Sequence, residues 1–244
     1  MRTLAGANLA ALHANQYPGR GIVIGIDKTG EYLIQVYWLM GRSKNSRNRV
    51  LRSLKGTLFT DRADNSWGGD RSLIIYNAMN EISLPLGNDF YVVSNGSQTD
   101  TVIDTLKNKG TFQDAMGKHK YEPDTPNFTP RITAICARGV EPVAIISILR
   151  KSPWGDACNR IFYCYEELGH GFGFCMHTYS GDGNPLPAFH GEPYVVPLPG
   201  DTKDIAHVFW DSLNEENRVA LAVKSIHFTS GESSIYIING RESA

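Results

Sequence analysis

Apolar positions along the chain recur mostly in short β-like runs punctuated by glycine. Gly21–Ile26 (GIVIGI) and Tyr32–Met40 (YLIQVYWLM) predict two strands joined through the turn Asp27-Lys28-Thr29-Gly30. Residues 50–61, 73–83 and 90–94 predict further strands. The run Leu73-Ile74-Ile75-Tyr76 shows no alternation, which predicts burial on both faces. At Ser97 the period changes: Val102, Ile103 and Leu106 recur at helical spacing, and Lys107 to Gly110 give a C-terminal signal. A shorter helix is expected over 111–119, with Thr111 as N-cap and Asp114 at the third helical position. Runs rich in Ile, Val, Tyr and Phe over 131–137, 142–150, 160–167 and 172–179 predict four more strands. The proline-rich stretch 181–200 predicts loop. A helix is expected over 202–213, with Ile205, Val208, Phe209 and Leu213 on one side, and strands over 219–228 and 234–239 close the pattern.

This order is not a strict alternation of strand and helix, so a doubly wound parallel sheet does not fit. Two stacked sheets with helices outside fit better. The sequence shows no internal repeat, low-complexity tract or linker, and residues 1–244 read as one domain whose first 16 residues form a helical extension. The composition supports a packed core: nine apolar and aromatic types make up 41% and charged residues 20%. Lys and Arg number 24 against 25 Asp and Glu, a balance that argues against nucleic acid as partner. No apolar run approaches the ~18 residues of a membrane span, and residues 1–16 lack the apolar stretch of a secretory signal. The four cysteines, Cys136, Cys158, Cys164 and Cys175, do not make a disulfide scaffold in a chain this long. The expectation is a reduced, soluble, cytoplasmic protein with no membrane partner. Its oligomeric state stays open, a homo-oligomer included.

Several chemical signatures are missing: there is no P-loop, HExxH, GxSxG elbow or CxxC. The GHGFGF run at 169–174 lies between two strands with no helix after it, so it fails the context of a dinucleotide loop. His170, Cys175 and His177 fit alternating strand positions better than a zinc site, and no metal or cofactor is expected. Three segments carry more. Residues 41–49 (GRSKNSRNR) place four cations among Asn and Ser, donors suited to phosphate oxygens. Residues 92–100 (VVSNGSQTD) run from a strand through a glycine turn into a helix start, where free N–H groups favour anions. Residues 120–131 (KYEPDTPNFTPR) gather Tyr, Glu, Asp, Thr and Arg on a strap stiffened by three prolines.

In order, these segments resemble the archaeal-type IMP cyclohydrolase family. The resemblance rests on YPGRGIVIG at 17–25, the GRSKNSRNR loop, SLIIYN at 72–77, VVSNGSQTDT at 92–101 and YEPDTPNFTPRITA at 121–134. It implies an α+β fold of four layers, helix–sheet–sheet–helix, similar to the N-terminal-nucleophile hydrolases but without a nucleophile at the start of the first strand. The implied reaction is closure of 5-formamidoimidazole-4-carboxamide ribotide to IMP with loss of water, the last step of purine biosynthesis, needing no cofactor. The resemblance places the family's Tyr on Tyr76, its Glu on Glu122 and its loop arginine on Arg49. It implies Glu122 as proton-transfer group, Tyr76 as donor to the developing oxyanion, and Arg49 with Arg42 as orienting residues. Asn95, Gly96 and Ser97 would cradle substrate, with Asp100 and Thr101 behind them. Asn77, Thr129, Arg131 and Arg20 complete the implied substrate-binding set, Arg131 and Arg20 as anion-binding positions. The chain departs from the family pattern in a longer 41–49 loop and in insertions at 61–71 and around 184–200. Two alternatives therefore stand beside this expectation: an enzyme of the same fold acting on another amide or nucleotide, and a non-catalytic nucleotide-binding protein.

Overall fold

The computed structural model describes residues 1–64, 75–138 and 143–240. Strands β1 (Gly21–Ile26) and β2 (Tyr32–Met40) form an antiparallel hairpin at the centre of one sheet. Two sequence-distant pairs flank it. On one side lie β10 (Phe172–His177) and β11 (Tyr194–Pro197); on the other lie β12 (Arg218–His227) and β13 (Ser233–Asn239). The order is β11-β10-β1-β2-β12-β13. The second sheet is a meander of seven strands, each pairing antiparallel with the next. These are β3 (Arg49–Leu54), β4 (Thr57–Arg62), β5 (Asn77–Leu84), β6 (Asn88–Ser94), β7 (Arg131–Arg138), β8 (Ala144–Lys151) and β9 (Cys158–Tyr165).

The sheets pack face to face. Ile22, Ile24, Leu39, Ala220 and Ala222 of the first meet Met79, Val93, Ile132, Ile146 and Ile148 of the second. Burying such a set is the main favourable term of the fold, at roughly 1.5–3 kcal/mol per large side chain. Helices cover both outer faces. Leu12 of α1 (Arg2–Ala14) and Ile205 and Phe209 of α5 (Thr202–Asp211) pack on Val23, Val36, Trp38 and Val223. Val102 and Leu106 of α3 (Gln98–Lys107) and Phe112 and Met116 of α4 (Phe112–Gly117) pack on Val92, Ile135 and Leu149. The layer order is helix–sheet–sheet–helix, as the resemblance implies. It also explains GIVIGI: a central strand covered on both faces has no use for alternation, and every residue of β1 is buried. Gly21 pairs with Trp38, and a Cβ there would lie 1.9 Å from the indole ring, so only glycine admits this neighbour.

Three expectations are corrected. Residues 50–61 are two strands, turned at Lys55 and Gly56 with φ of 47° and 79°; two successive residues in the left-handed region make the tight turn that suits a two-residue hairpin. Of the expected strand 73–83, Leu73 and Ile74 lie outside the described residues. Ile75 is 38% exposed and precedes the strand, while Tyr76 is buried just before β5 begins at Asn77. The stretch 181–200 contains β11, an edge strand. A one-turn helix, α2 (Lys44–Arg47), adds structure inside the basic loop, where Ser43 caps it through Ser46. Among the described residues no helix is long and apolar enough to cross a membrane.

Candidate active site

Strand polarity brings the three sequence segments to one end of the sandwich. Gly21 of β1 lies opposite Trp38 near the end of β2, Met79 of β5 opposite Val93, and Ser94 of β6 opposite Thr133 of β7. The residues just outside these positions, Arg20, Tyr76, Asn95 and Arg131, therefore share one rim, with one sheet supplying the first and the other sheet the rest.

Arg20 stands at its centre. Its Nη1 donates to the Asn95 carbonyl at 2.6 Å and its Nη2 to Glu122 Oε2 at 2.8 Å. The pair is nearly enclosed, with side chains 11% and 14% exposed. Burial works against the Arg20 charge, but Glu122 and Tyr76 outweigh it, and the guanidinium is held well above its ordinary pKa. The other Glu122 oxygen faces Arg131 Nη1 at 3.7 Å. Arg131 is anchored in turn by donation to Gln98 Oε1 at 2.9 Å. Burial pulls its pKa down, with Glu122 opposing.

The strap that carries Glu122 is rigid for identifiable reasons. Glu122 N donates to the Thr129 carbonyl at 2.8 Å, and Thr129 N donates to Asp124 Oδ1 at 2.7 Å. The Thr129 hydroxyl is held between Asp124 and the Tyr179 hydroxyl. Thr129 is 2% exposed and so fixes the strap rather than offering its hydroxyl to a ligand. Burial raises Asp124 above the usual carboxylate range against the Thr129 bonds, and pushes the Tyr179 phenol up to about 12.

Tyr76 is 6% exposed, and its hydroxyl lies 2.5 Å from that of Tyr37, which projects from β2 in the facing sheet. Arg49 is buried within the loop's own backbone: Nε donates to the Ser46 carbonyl at 2.8 Å and Nη2 to the Met40 carbonyl at 2.9 Å. Its charge still reaches the site, since it acts on Tyr37 and, with Arg20 and Arg42, on the Tyr17 phenol, which burial raises. Arg42 is more exposed. It pairs with Asp182, donates to the Gly183 carbonyl at 3.2 Å and lies 4.9 Å from the centre of the Tyr17 ring.

The glycine turn plays a constructional part. Asn95 is fully buried; its Oδ1 accepts from Gln98 Nε2 and Ile132 N, and its Nδ2 donates to the Pro130 carbonyl. It ties the end of β6 to the start of β7 and presents its carbonyl to Arg20. At Gly96 a Cβ would come within 2.5 Å of Arg131 Nη1, so the missing side chain leaves room for that arginine. Ser97 is exposed at the N-terminus of α3 and its side chain makes no capping bond. Asn77 donates to Asp100 Oδ1 at 2.8 Å, a pair joining β5 to α3, and Thr101 bonds His119 Nε2 at 2.8 Å behind it.

The structure thus gathers Arg20, Tyr76, Glu122, Arg131, the Asn95 carbonyl and Gly96 around one point, with Arg49 supporting from the loop. Residues that the sequence reading did not single out are Tyr37, Tyr17, Gln98 and Tyr179. Three guanidinium groups, Arg20, Arg49 and Arg131, meet two carboxylates here, Glu122 and Asp124, and the excess positive charge suits an anionic ligand. Among the described residues no group of three His, Cys, Asp or Glu side chains is arranged to hold a metal ion. A family model described as IMP cyclohydrolase-like protein matches residues 17–231, and the chain belongs to that family. The match begins directly after α1. No curated protein sequence matches the chain.

Proposed function

We propose that this member of the IMP cyclohydrolase-like family closes 5-formamidoimidazole-4-carboxamide ribotide to IMP, releasing water. The observation that carries the reading is a carboxylate and a phenol meeting at one rim under an excess of guanidinium charge. In this reading Glu122 takes a proton from the carboxamide nitrogen, which then attacks the formyl carbon. Tyr76 donates to the formyl oxygen as negative charge builds there. That oxygen leaves as water after a second protonation; of the two hydrogens in the water, one comes from the carboxamide nitrogen and the other from the formamido nitrogen, whose bond to the former formyl carbon becomes double. Arg20 and Arg131 fix the Glu122 carboxylate, and the Arg49 charge draws in the ribotide phosphate, with Arg42, already paired with Asp182, orienting it. Because both reacting groups belong to one molecule, holding them in the closing rotamer supplies much of the acceleration.

The test is direct. Purified protein and the formamido ribotide, followed by ultraviolet absorbance, are expected to yield IMP without added metal or cofactor. Glu122→Gln and Tyr76→Phe should each lower kcat by about 10²–10⁴-fold, the usual loss on removing an acid–base group. Turnover within twofold of wild type in both variants would refute the roles. Tight ribotide binding without product would favour a nucleotide-binding protein instead.

A further inference from the structure

We propose that Tyr37 is a positioning residue for the ring closure: its hydroxyl donates to Tyr76 and thereby frees the Tyr76 proton to point at the substrate. The inference rests on the reading of Tyr76 as the donor to the formyl oxygen.

A proton count leads to it. The two hydroxyls lie 2.5 Å apart, and among the described residues neither has another hydrogen-bond partner. Each phenol owns one proton, and one hydrogen bond between them uses only one of the two. Tyr37 is 0% exposed, on the inner face of β2 between Ile22 and its neighbours in the sheet core. A proton on Tyr37 that pointed anywhere but at Tyr76 would be buried without an acceptor, at a cost of about 1–3 kcal/mol. Tyr76 is 6% exposed and stands at the rim beside Arg20 and Arg131. The lower-energy arrangement therefore runs Tyr37 O–H to Tyr76 O, with the Tyr76 O–H directed outward.

The same arrangement helps the chemistry. When the Tyr76 O–H bond breaks and the formyl oxygen gains that proton, Tyr76 is left as a phenolate. Its oxygen then accepts a charge-assisted bond from Tyr37, which is stronger than the neutral bond it replaces. Burial and the adjacent Tyr76 hold Tyr37 well above the ordinary phenol range against Arg20 and Arg49, so Tyr37 stays a donor throughout. The charged groups facing the pair are Arg20 from the start of β1, Arg49 from the basic loop, Arg131 from β7 and, through Arg20, Glu122 from the strap. Over a turnover Tyr76 regains a proton equivalent to the one Glu122 removed from the carboxamide nitrogen.

The test uses the full chain labelled with [13Cζ]tyrosine, with the Tyr76 signal assigned by its loss in Tyr76→Phe. In Tyr37→Phe the Tyr76 titration should move up by about one unit or more, the order a single hydrogen bond to a charged oxygen supplies. The kcat should fall at least tenfold with KM within twofold, and the double variant Tyr37→Phe/Tyr76→Phe should be no slower than Tyr76→Phe alone. An unmoved Tyr76 titration, or a further loss in the double variant, would overturn the proposal, and the melting temperature of Tyr37→Phe separates either from a failure to fold. A shifted titration in a protein that forms no IMP would leave the phenol pair standing and refute the functional reading instead.

Discussion

Removing Arg20 should uncouple the site and destabilise the fold at once, because one guanidinium joins both sheets there. Its Nη1 holds the Asn95 carbonyl, which is fully buried, and its Nη2 holds Glu122, whose side chain is mostly enclosed. In Arg20→Met the Glu122 carboxylate keeps, among the described residues, only the Arg131 ion pair at 3.7 Å. Stranding one member of a buried ion pair costs about 3–5 kcal/mol, and the remaining arginine places this case near the lower end, about 3 kcal/mol. For a chain of this length that is a fall in Tm of roughly 6–12 °C, at 2–4 °C per kcal/mol. Glu122→Gln should cost less than Arg20→Met, since an amide oxygen can still accept from the guanidinium. The double variant removes both charges together and should be more stable than the sum of the single changes, with a coupling of about 1–3 kcal/mol. Urea unfolding at fixed pH, with m-values checked for equality, measures all four proteins. In parallel, IMP formation by Arg20→Met should fall at least ~10²-fold, since an unmoored carboxylate loses its attack geometry. A cost below about 1 kcal/mol for Arg20→Met, or additivity within about 0.5 kcal/mol, would refute the claim that this pair organises the rim.

Two further outcomes follow from neighbouring residues. His177 is buried with Nδ1 2.8 Å from the Tyr179 carbonyl, and burial pulls its pKa down from 6.5 to about 4 against that bond. The unfolded chain binds the proton more readily, so this contribution is complete above about pH 6.5 and is lost as the pH falls toward 4, by about 3 kcal/mol in all; His177→Gln should show a shallower loss of urea stability across that window, and an unchanged slope would contradict it. In Gly96→Ala the new Cβ meets the ends of Arg131 and of the buried, hydrogen-bonded Gln98 at 2.5 and 2.7 Å, so stability should fall by about 1 kcal/mol or more while Arg131 is pushed from Glu122 and KM rises about tenfold, ~1.4 kcal/mol of binding; an unchanged KM would place Arg131 outside the substrate path.

Much of the layer order was legible because burial writes itself into periodicity. The apolar stripe of Val102, Ile103 and Leu106 marked α3, and the Thr111–Asp114 capping box marked α4 with its bonds as expected. The hairpin turn at Lys55 and Gly56 stayed hidden because lysine at φ 47° carries no turn signature. Strand β11 hid for a different reason. It is four residues long at a sheet edge, ends on Pro197, and draws its order from pairing with β10 and cover by α1 rather than from its own sequence.

The site was legible where chemistry sits on loops and hidden where it sits on strands. Glu122, Asn95, Gly96 and Arg131 stood out because a polar residue in a stiff or turning segment needs a reason to be there. Tyr37 did not, since an aromatic inside YLIQVYWLM satisfies the strand pattern completely; only the facing sheet reveals that its hydroxyl has a partner. Arg49 shows the opposite error of emphasis. Four cations in one loop suggest four ligand contacts, yet Arg49 directs two donors at the Ser46 and Met40 carbonyls and so shapes the loop that Arg42 and Tyr17 border. Arg20, the least conspicuous cation of the sequence, sits between a glycine of positive φ and the first buried strand, where its neighbours are fixed by topology alone. A charge in that position can be kept only if the fold supplies both an anion and a carbonyl, and Glu122 and Asn95, more than seventy residues away in sequence, are what this fold supplies.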